Sequence, residues 1–249
     1  MATGKFRVGV PRDALDKSDN PIFDSGLLDM LTDPAVEWRY YDAPVPELSP
    51  KVAADFDALC VMGGRIGHSG LAVGRVRLIA RFGVGYDNVD VAACTEHGVL
   101  LTLAPDGVRR PVATSVIALM LALAHKLLIK DKLTRAGRWA EKLDHIGTGL
   151  TGRVLGAIGM GNIGAEVFRL AQPFGLRLIA HDPLAKPVVA RALGVELVDF
   201  DTVLRTADFV SVMCPLSECT RELIGPRELG LMKPTAYLIN TARGPIVQE

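Results

Sequence analysis

The sequence has 249 residues, 49% of them hydrophobic, and its 28 basic and 28 acidic side chains balance to a net charge of zero. That is enough chain for two ordinary domains or one large one with a sizeable core, and it excludes wholesale disorder. With no long run of either sign, the balance argues against a nucleic-acid partner or an anionic membrane surface.

The start, MATGKFRVGVPRDAL, carries a basic residue but no uninterrupted apolar stretch behind it, so no signal peptide is expected. From there, short apolar runs alternate with amphipathic segments. FRVGV, VEWRYYD, ALCVMGG, RLIARFG and VLLTLA read as strands. DSGLLDMLTD, PELSPKVAADF and NVDVAACTEHG read as helices or helical turns between them. Strands recurring with helical crossovers predict a parallel α/β sheet and not a hairpin protein. This first unit closes near Ala104, and PDGVRRP reads as a linker.

A long apolar helix is expected from about Val112 to Leu133. Its clean apolar part, Val116 to Ala124, ends at His125 and Lys126, which is short of the roughly 20 residues a membrane span needs. A polar connection, RAGRWAEKLDHIGTGLTG, leads to a second run of strands: RVLGAIG, LRLIAHD, VELV, DFVSVMC and AYLIN. The expected organisation is therefore two doubly wound parallel-sheet domains, residues 1–104 and 105–249. The boundary falls near 104–110.

Within VLGAIGMGNIGAEVF, three glycines stand in the order Gly159, Gly161, Gly164 after an apolar strand and at the opening of a helix. Gly159 permits a tight turn, Gly161 lets the backbone approach a pyrophosphate, and Gly164 lets helix and strand pack closely. The N–H groups of Met160, Asn162 and Ile163 and the positive end of the helix dipole suit phosphate binding. Asp182 ends the next strand, roughly 20 residues on, where an acidic side chain accepts from ribose hydroxyls and repels a 2′-phosphate. No arginine follows closely, so the pattern favours NAD over NADP.

Two further glycine loops, VMGGRIGHSG and RFGVGYDNVD, end strands of the first domain. Gly63, Gly64, Gly83 and Gly85 leave N–H groups at the sheet edge where ligands bind, and such groups can hold a carboxylate. Ordinary strand-to-helix turn chemistry explains the same glycines equally well. The four cysteines, Cys60, Cys94, Cys214 and Cys219, lack CxxC spacing and a nearby histidine pair. No metal site or disulfide framework is expected, and reduced cytoplasmic thiols are.

Three stretches together resemble the D-isomer-specific 2-hydroxyacid dehydrogenases: ARFGVGYDNVDVAACTEHGV, GRVLGAIGMGNIGAEVFRLAQPFG and DFVSVMCPLSECTRELIGPRELGLMKPTAYLINTARGPIV. The resemblance spans essentially the whole chain. It implies a flavodoxin-like substrate domain, a Rossmann NAD-binding domain and reversible hydride transfer between the nicotinamide and a small D-2-hydroxy or 2-keto acid. It places Asp182 on the adenine ribose, and Cys214, Pro215 and Thr220 along the adenine side of the cofactor. Thr241 and Ala242 would approach the nicotinamide, and Val84 and Gly85 would offer N–H groups to the substrate carboxylate. Arg243 matches the family's active-site arginine. A guanidinium stays charged and can hold a carboxylate or ketone oxygen in a two-pronged geometry as charge builds on it.

The family's proton-donating His and its partner Glu match no position here, so the chain reads as C-terminally shortened and its own activity is in question. Of the five histidines only His68 lies near the substrate edge, while His97, His125, His145 and His181 read as structural or solvated. Stopping at Glu249 would also leave the second sheet short of a strand and the AYLIN edge exposed. Thr114 and Cys214 stand where relatives often carry a glutamate and a histidine, which leaves the substrate subclass open. A homodimer is implied, with the long apolar helix and the polar connection as contact surface. The alternative is a non-enzymatic NAD-binding or regulatory member of the same fold.

Overall fold

A computed structural model describes residues 4–23, 26–42 and 46–249. The chain divides into two compact units, Met1–Pro105 and Asp106–Glu249.

In the first unit, β1 (Phe6–Pro11), β2 (Val36–Tyr41), β3 (Ala58–Val61), β4 (Leu78–Arg81) and β5 (Leu100–Leu103) form one sheet in the order β2-β1-β3-β4-β5. All pairings are parallel, and this is the flavodoxin-like order. The crossovers carry four short helices, α1 (Gly26–Asp29), α2 (Pro50–Ala53), α3 (His68–Leu71) and α4 (Val91–Glu96). Local chemistry sets their starts. Ser49 Oγ accepts from the Val52 N–H ahead of Pro50, and Asp90 Oδ1 accepts from the Ala93 N–H, each satisfying a donor the helix cannot. The helical segment expected from DSGLLDMLTD is only Gly26–Asp29 here, and its first two residues, Asp24 and Ser25, lie outside the described residues. Phe56, Leu59, Val61, Ile66, Leu71 and Ile79 form the core.

The second unit opens with α5 (Pro105–Ala124) and α6 (Leu127–Arg135). Both depart from the reading of the sequence. PDGVRRP is the first part of α5 and not a linker: Pro105 needs no helical N–H at the start, Asp106 favours the positive helix end, and Pro111 is accommodated inside. The single helix expected to run to Leu133 breaks at Lys126, which adopts a left-handed conformation (φ 54°) and starts α6 in a new direction. The connection that follows contains a 3-10 helix, Trp139–His145. By length and mean hydropathy α5 is long enough to cross a membrane. One of its faces, Ala113, Val116, Ile117, Met120 and Ala124, is instead buried in the unit's core with Leu155, Phe168 and Phe209.

The second sheet comprises β6 (Val154–Ile158), β7 (Arg177–His181), β8 (Val195–Leu197), β9 (Phe209–Val212) and β10 (Tyr237–Asn240) in the order β10-β9-β6-β7-β8, again wholly parallel. Counted within the unit this is 3-2-1-4-5, the Rossmann order. The crossovers carry α7 (Asn162–Ala171), α8 (Pro187–Ala192), α9 (Phe200–Thr206) and α10 (Pro226–Leu231). Central β6 and β9 are buried along their whole length, because helices cover both faces of such a sheet. Strand order reverses between β6 and β9, and the crevice beyond their carboxyl ends is where this architecture binds ligands.

Candidate functional site

The loop from β6 to α7 lies at that reversal, and each of its glycines is placed for a separate steric reason. Gly159 has φ +96°, and a Cβ there would stand 2.7 Å from the Cys214 backbone nitrogen. No other residue fits. A Cβ on Gly164 would approach the Gly159 carbonyl to 2.8 Å, so this glycine lets α7 sit directly on the turn. Gly161 differs: a Cβ there meets nothing within 4 Å. Its bareness serves open space, which is what a ligand approaching the backbone requires.

That space is a cavity of about 850 Å³ lined by Gly159, Met160, Gly161, Asn162, Asp182, Cys214, Pro215 and Thr220, with His181, Leu184, Val189 and Phe200 among its apolar and aromatic walls. The first backbone bond of α7 runs from the Ala165 N–H to the Gly161 carbonyl at 2.9 Å. The helix therefore leaves the N–H groups ahead of Ala165 to an outside acceptor, and its dipole favours a negative one.

Asp182 does more than the sequence indicates. Its Oδ2 accepts from the Met160 N–H at 2.7 Å and its Oδ1 from the Leu184 N–H at 2.8 Å. The Met160 N–H, expected to face a phosphate, is thus committed to the aspartate. Each carboxylate oxygen keeps a second lone pair for a hydroxyl donor. Across the cavity, Thr220 Oγ1 donates to the Pro215 carbonyl at 2.6 Å and accepts from the Ser217 N–H at 2.8 Å, shaping the loop after β9. Burial pushes the Cys214 thiol above its usual pKa, so it stays protonated and acts as wall.

Thr241, Ala242 and Arg243 follow β10 in the same unit but are not among the residues lining this cavity. Their turn is braced by a side chain the sequence reading passed over. Asn240 Nδ2 donates to the Arg243 carbonyl at 2.8 Å, and Asn240 Oδ1 accepts from the Ala242 N–H at 3.0 Å. Beyond the arginine, Ile224 N–H to the Ile246 carbonyl (3.0 Å) and Gln248 N–H to the Ile224 carbonyl (2.9 Å) pin the chain in a short parallel bridge. The Arg243 side chain is half-buried and its Nη1 donates to the Ala242 carbonyl at 2.9 Å. The Asn240 bonds and this bridge anchor the backbone on either side of Arg243.

In the first unit the two glycine loops lie at the carboxyl ends of β3 and β4. The Gly63 N–H is already taken by Asp13 Oδ2 at 3.1 Å, while Gly64 (φ +70°) turns the chain and its carbonyl accepts from Asn88 Nδ2. Arg81 supports the second loop from inside, donating to the carbonyls of Phe82 and Gly85. Among the described residues no backbone carbonyl accepts from the N–H groups of Val84 and Gly85, and backbone donors of this kind have the chemistry to hold a carboxylate. Asp13, Arg81, Asn88 and Asn240 are the site-shaping residues that sequence reading missed. All four act on backbone atoms; Arg81, Asn88 and Asn240 lie within the stretches that carry the family resemblance, but nothing in consecutive residues reveals a bracing role.

A Rossmann-ordered sheet with a bare glycine loop, a helix N-terminus and an acidic strand end defines a dinucleotide-binding unit. Residues 15–168 match the D-isomer specific 2-hydroxyacid dehydrogenase catalytic domain, and residues 117–249 match the NAD binding domain of the same family. The chain belongs to the D-isomer specific 2-hydroxyacid dehydrogenase family. It is 40% identical over 212 residues to D-3-phosphoglycerate dehydrogenase 2, chloroplastic, of Arabidopsis thaliana, covering 84% of this chain and 34% of that protein. It is 36% identical over 216 residues to glyoxylate reductase of Thermococcus onnurineus, covering 84% of this chain and 60% of that one. The chain therefore spans about a third of the length of the first of these relatives and 60% of the second. A glyoxylate reductase structure from Paecilomyes thermophila superposes with a TM-score of 0.80 at 27% identity, covering 99% of this chain and 76% of that one.

Proposed function

We propose that the protein carrying this chain is an NAD-dependent oxidoreductase that moves a hydride between the nicotinamide and a small D-2-hydroxy or 2-keto acid. One observation carries the reading: the cavity at the β6/β9 reversal places a bare glycine turn, a helix N-terminus and Asp182 around one volume large enough for a dinucleotide. The residues fit the cofactor. Asn162 and Ile163 N–H groups would hold phosphate, Asp182 the ribose hydroxyls, and Cys214, Pro215 and Thr220 the adenine side. NAD, when bound, supplies or accepts the hydride.

The chain's own residues orient and polarise the acid. Val84 and Gly85 donate N–H groups to its carboxylate, with Gly63 and Gly64 shaping the neighbouring edge. Arg243 orients the acid by its carboxylate or ketone oxygen and stabilises the charge that grows on the ketone oxygen. Thr241 and Ala242 lie beside the nicotinamide in this reading.

We assign the protein to the cytoplasm and to a homodimer, with residues 1–104 as substrate domain and 105–249 as cofactor domain. The dimer is supported by exposed apolar side chains along α5, α6 and the turn after them: Leu119, Leu127, Leu128, Trp139, Leu143 and Ile146. Light scattering should give twice the protomer mass.

The test is NADH titration followed by a screen of glyoxylate, pyruvate, hydroxypyruvate and 3-phosphohydroxypyruvate, following NADH absorbance. Saturable NADH binding with consumption on at least one acid is expected. Absence of NADH binding overturns the cofactor assignment. Binding without turnover on every acid overturns the hydride-transfer assignment. Arg243→Ala should leave NADH affinity within about twofold while turnover falls by at least about a hundredfold, the scale seen when one charge-stabilising donor is removed.

A further inference from the structure

Outside the cofactor cavity the structure gathers three ligating side chains that no motif connects. His68 opens α3, directly after the loop that carries Gly63 and Gly64. Glu96 is the last residue of α4 and His97 caps that helix. His97 Nε2 lies 3.3 Å from His68 Nδ1, and Glu96 Oε2 lies 3.5 Å from the same nitrogen. The ring centroids are 4.6 Å apart and tilted by 57°, so the imidazoles meet through their nitrogens and are not stacked. The ligand atoms of all three residues fall within 4.8 Å of one another.

Two imidazole nitrogens can approach this closely for two reasons. One ring donates a proton to the other, or both lone pairs point at a shared cation. A tetrahedral zinc with bonds of about 2.0–2.2 Å separates adjacent ligand atoms by roughly 3.3–3.5 Å. The two separations around His68 Nδ1, 3.3 Å and 3.5 Å, match those edges. Glu96, next to His97 in the chain, adds a carboxylate oxygen to the two imidazole nitrogens, which offsets the charge of a divalent cation. The N,N,O set suits zinc and its neighbours over magnesium or calcium, which take all-oxygen shells. Glu96 and His68 are exposed, so both can make the small rotations that complete the geometry, with water filling the open position.

We propose that His68, Glu96 and His97 form a binding site for a divalent transition-metal ion of the zinc class. The ion cross-links the start of α3 to the end of α4 and so braces the segment leading from the Gly63–Gly64 loop. This site lies wholly in the first unit and does not depend on the NAD reading.

The experiment is titration of the untagged full chain with ZnCl2 after chelator treatment. It is followed by calorimetry and by NMR of the imidazole nitrogens in 15N-labelled protein. One saturating site is expected, with the ring nitrogens of His68 and His97 shifting together while those of His125, His145 and His181 stay in place. Thermal stability should rise with free Zn2+, since a ligand that binds only the folded state stabilises it by mass action. His68→Ala and His97→Ala should each weaken binding by at least about tenfold, because even loss of an outer-shell partner costs that much. Glu96→Gln should weaken it as well. These positions are at the surface, and unchanged far-UV circular dichroism would show that the variants fold. Absence of saturable binding would establish a simple His–His hydrogen bond and overturn the site. Retention of full affinity in the His68→Ala/His97→Ala double variant would place the zinc at other side chains and overturn it equally.

Discussion

Two glycines two residues apart make a sharp comparison. Gly159 is locked by a left-handed backbone and by the Cys214 nitrogen 2.7 Å from where a Cβ would be. Gly159→Ala should therefore lose about 1–3 kcal/mol of stability, a cost typical of forced backbone strain, read from the denaturant midpoint. Gly161 has an ordinary φ of −73° and open space around it. Gly161→Ala should leave stability within about 0.5 kcal/mol of the parent. Its NADH affinity should nonetheless fall by at least about tenfold, because the new methyl occupies the approach of the pyrophosphate. Equal NADH affinity in Gly161→Ala and the parent would remove the pyrophosphate from this loop. Asp182 is less clean to test, since it ties down the Met160 and Leu184 N–H groups as well as facing the cavity. Asn240 is the residue to change near Arg243. Asn240→Ala removes both bonds that shape the turn, and turnover should fall while NADH affinity changes little. A parallel fall in both would make Asn240 a general stabiliser and not a positioning residue.

At the scale of elements, one carboxylate ties three of them together. Asp208, at the start of β9, accepts from the Val154 N–H of β6 at 2.8 Å, from Lys233 Nζ beyond α10 at 3.1 Å and from Arg153 at 3.4 Å. Burial pushes its pKa up, but the Val154 N–H, Lys233 and Arg153 together hold it below the ordinary aspartate value. Asp208→Asn keeps the shape but offers those cations a neutral amide. It should cost about 1–3 kcal/mol, measured by urea unfolding. This tie lies at the opposite ends of the strands from the cofactor cavity, so NADH affinity should be untouched. Glu166 makes a similar tie between helices: the Arg110 bond at 2.5 Å from α5, with Arg169 beside it on α7, holds its carboxyl below the usual range despite its burial. The linker reading of PDGVRRP failed at this same scale. Two prolines and a glycine look like punctuation, yet a helix tolerates proline at its first position and can be held past an internal one by tertiary contacts.

For the molecule as a whole, these lowered carboxylates set the acid limb of stability. A group whose folded pKa is depressed stabilises the fold fully above its unfolded value, about pH 4 for carboxylates, and the contribution is lost as pH falls through the depressed value. Asp199, Asp208, Glu166 and Glu228 all share that direction. Stability should be flat toward neutrality and decline below about pH 4, with a shallower decline in Asp208→Asn than in the parent. NADH should raise the melting temperature of the parent, by the equivalent of about 2.7 kcal/mol at a hundred times its dissociation constant. In Gly161→Ala that rise should be much smaller at the same concentration.

The α/β class, the positions of the strands in both sheets, the glycine turn with Asp182 after it, and the family are all legible in the sequence. These are local properties: an apolar run buried on both faces, or a turn only glycine can make, leaves its mark in consecutive residues. Which backbone donors remain open is fixed by long-range contacts in the folded chain. Gly63 and Met160 carry N–H groups that the sequence offers to a ligand, but carboxylates distant in the chain, Asp13 and Asp182, have already taken them. The break of the apolar helix at Lys126, the bracing of Arg243 by Asn240 and the meeting of His68 with Glu96 and His97 were likewise settled by folding. Hydrogen bonding and coordination act over a few ångströms of space, so their partners can come from any distance along the chain.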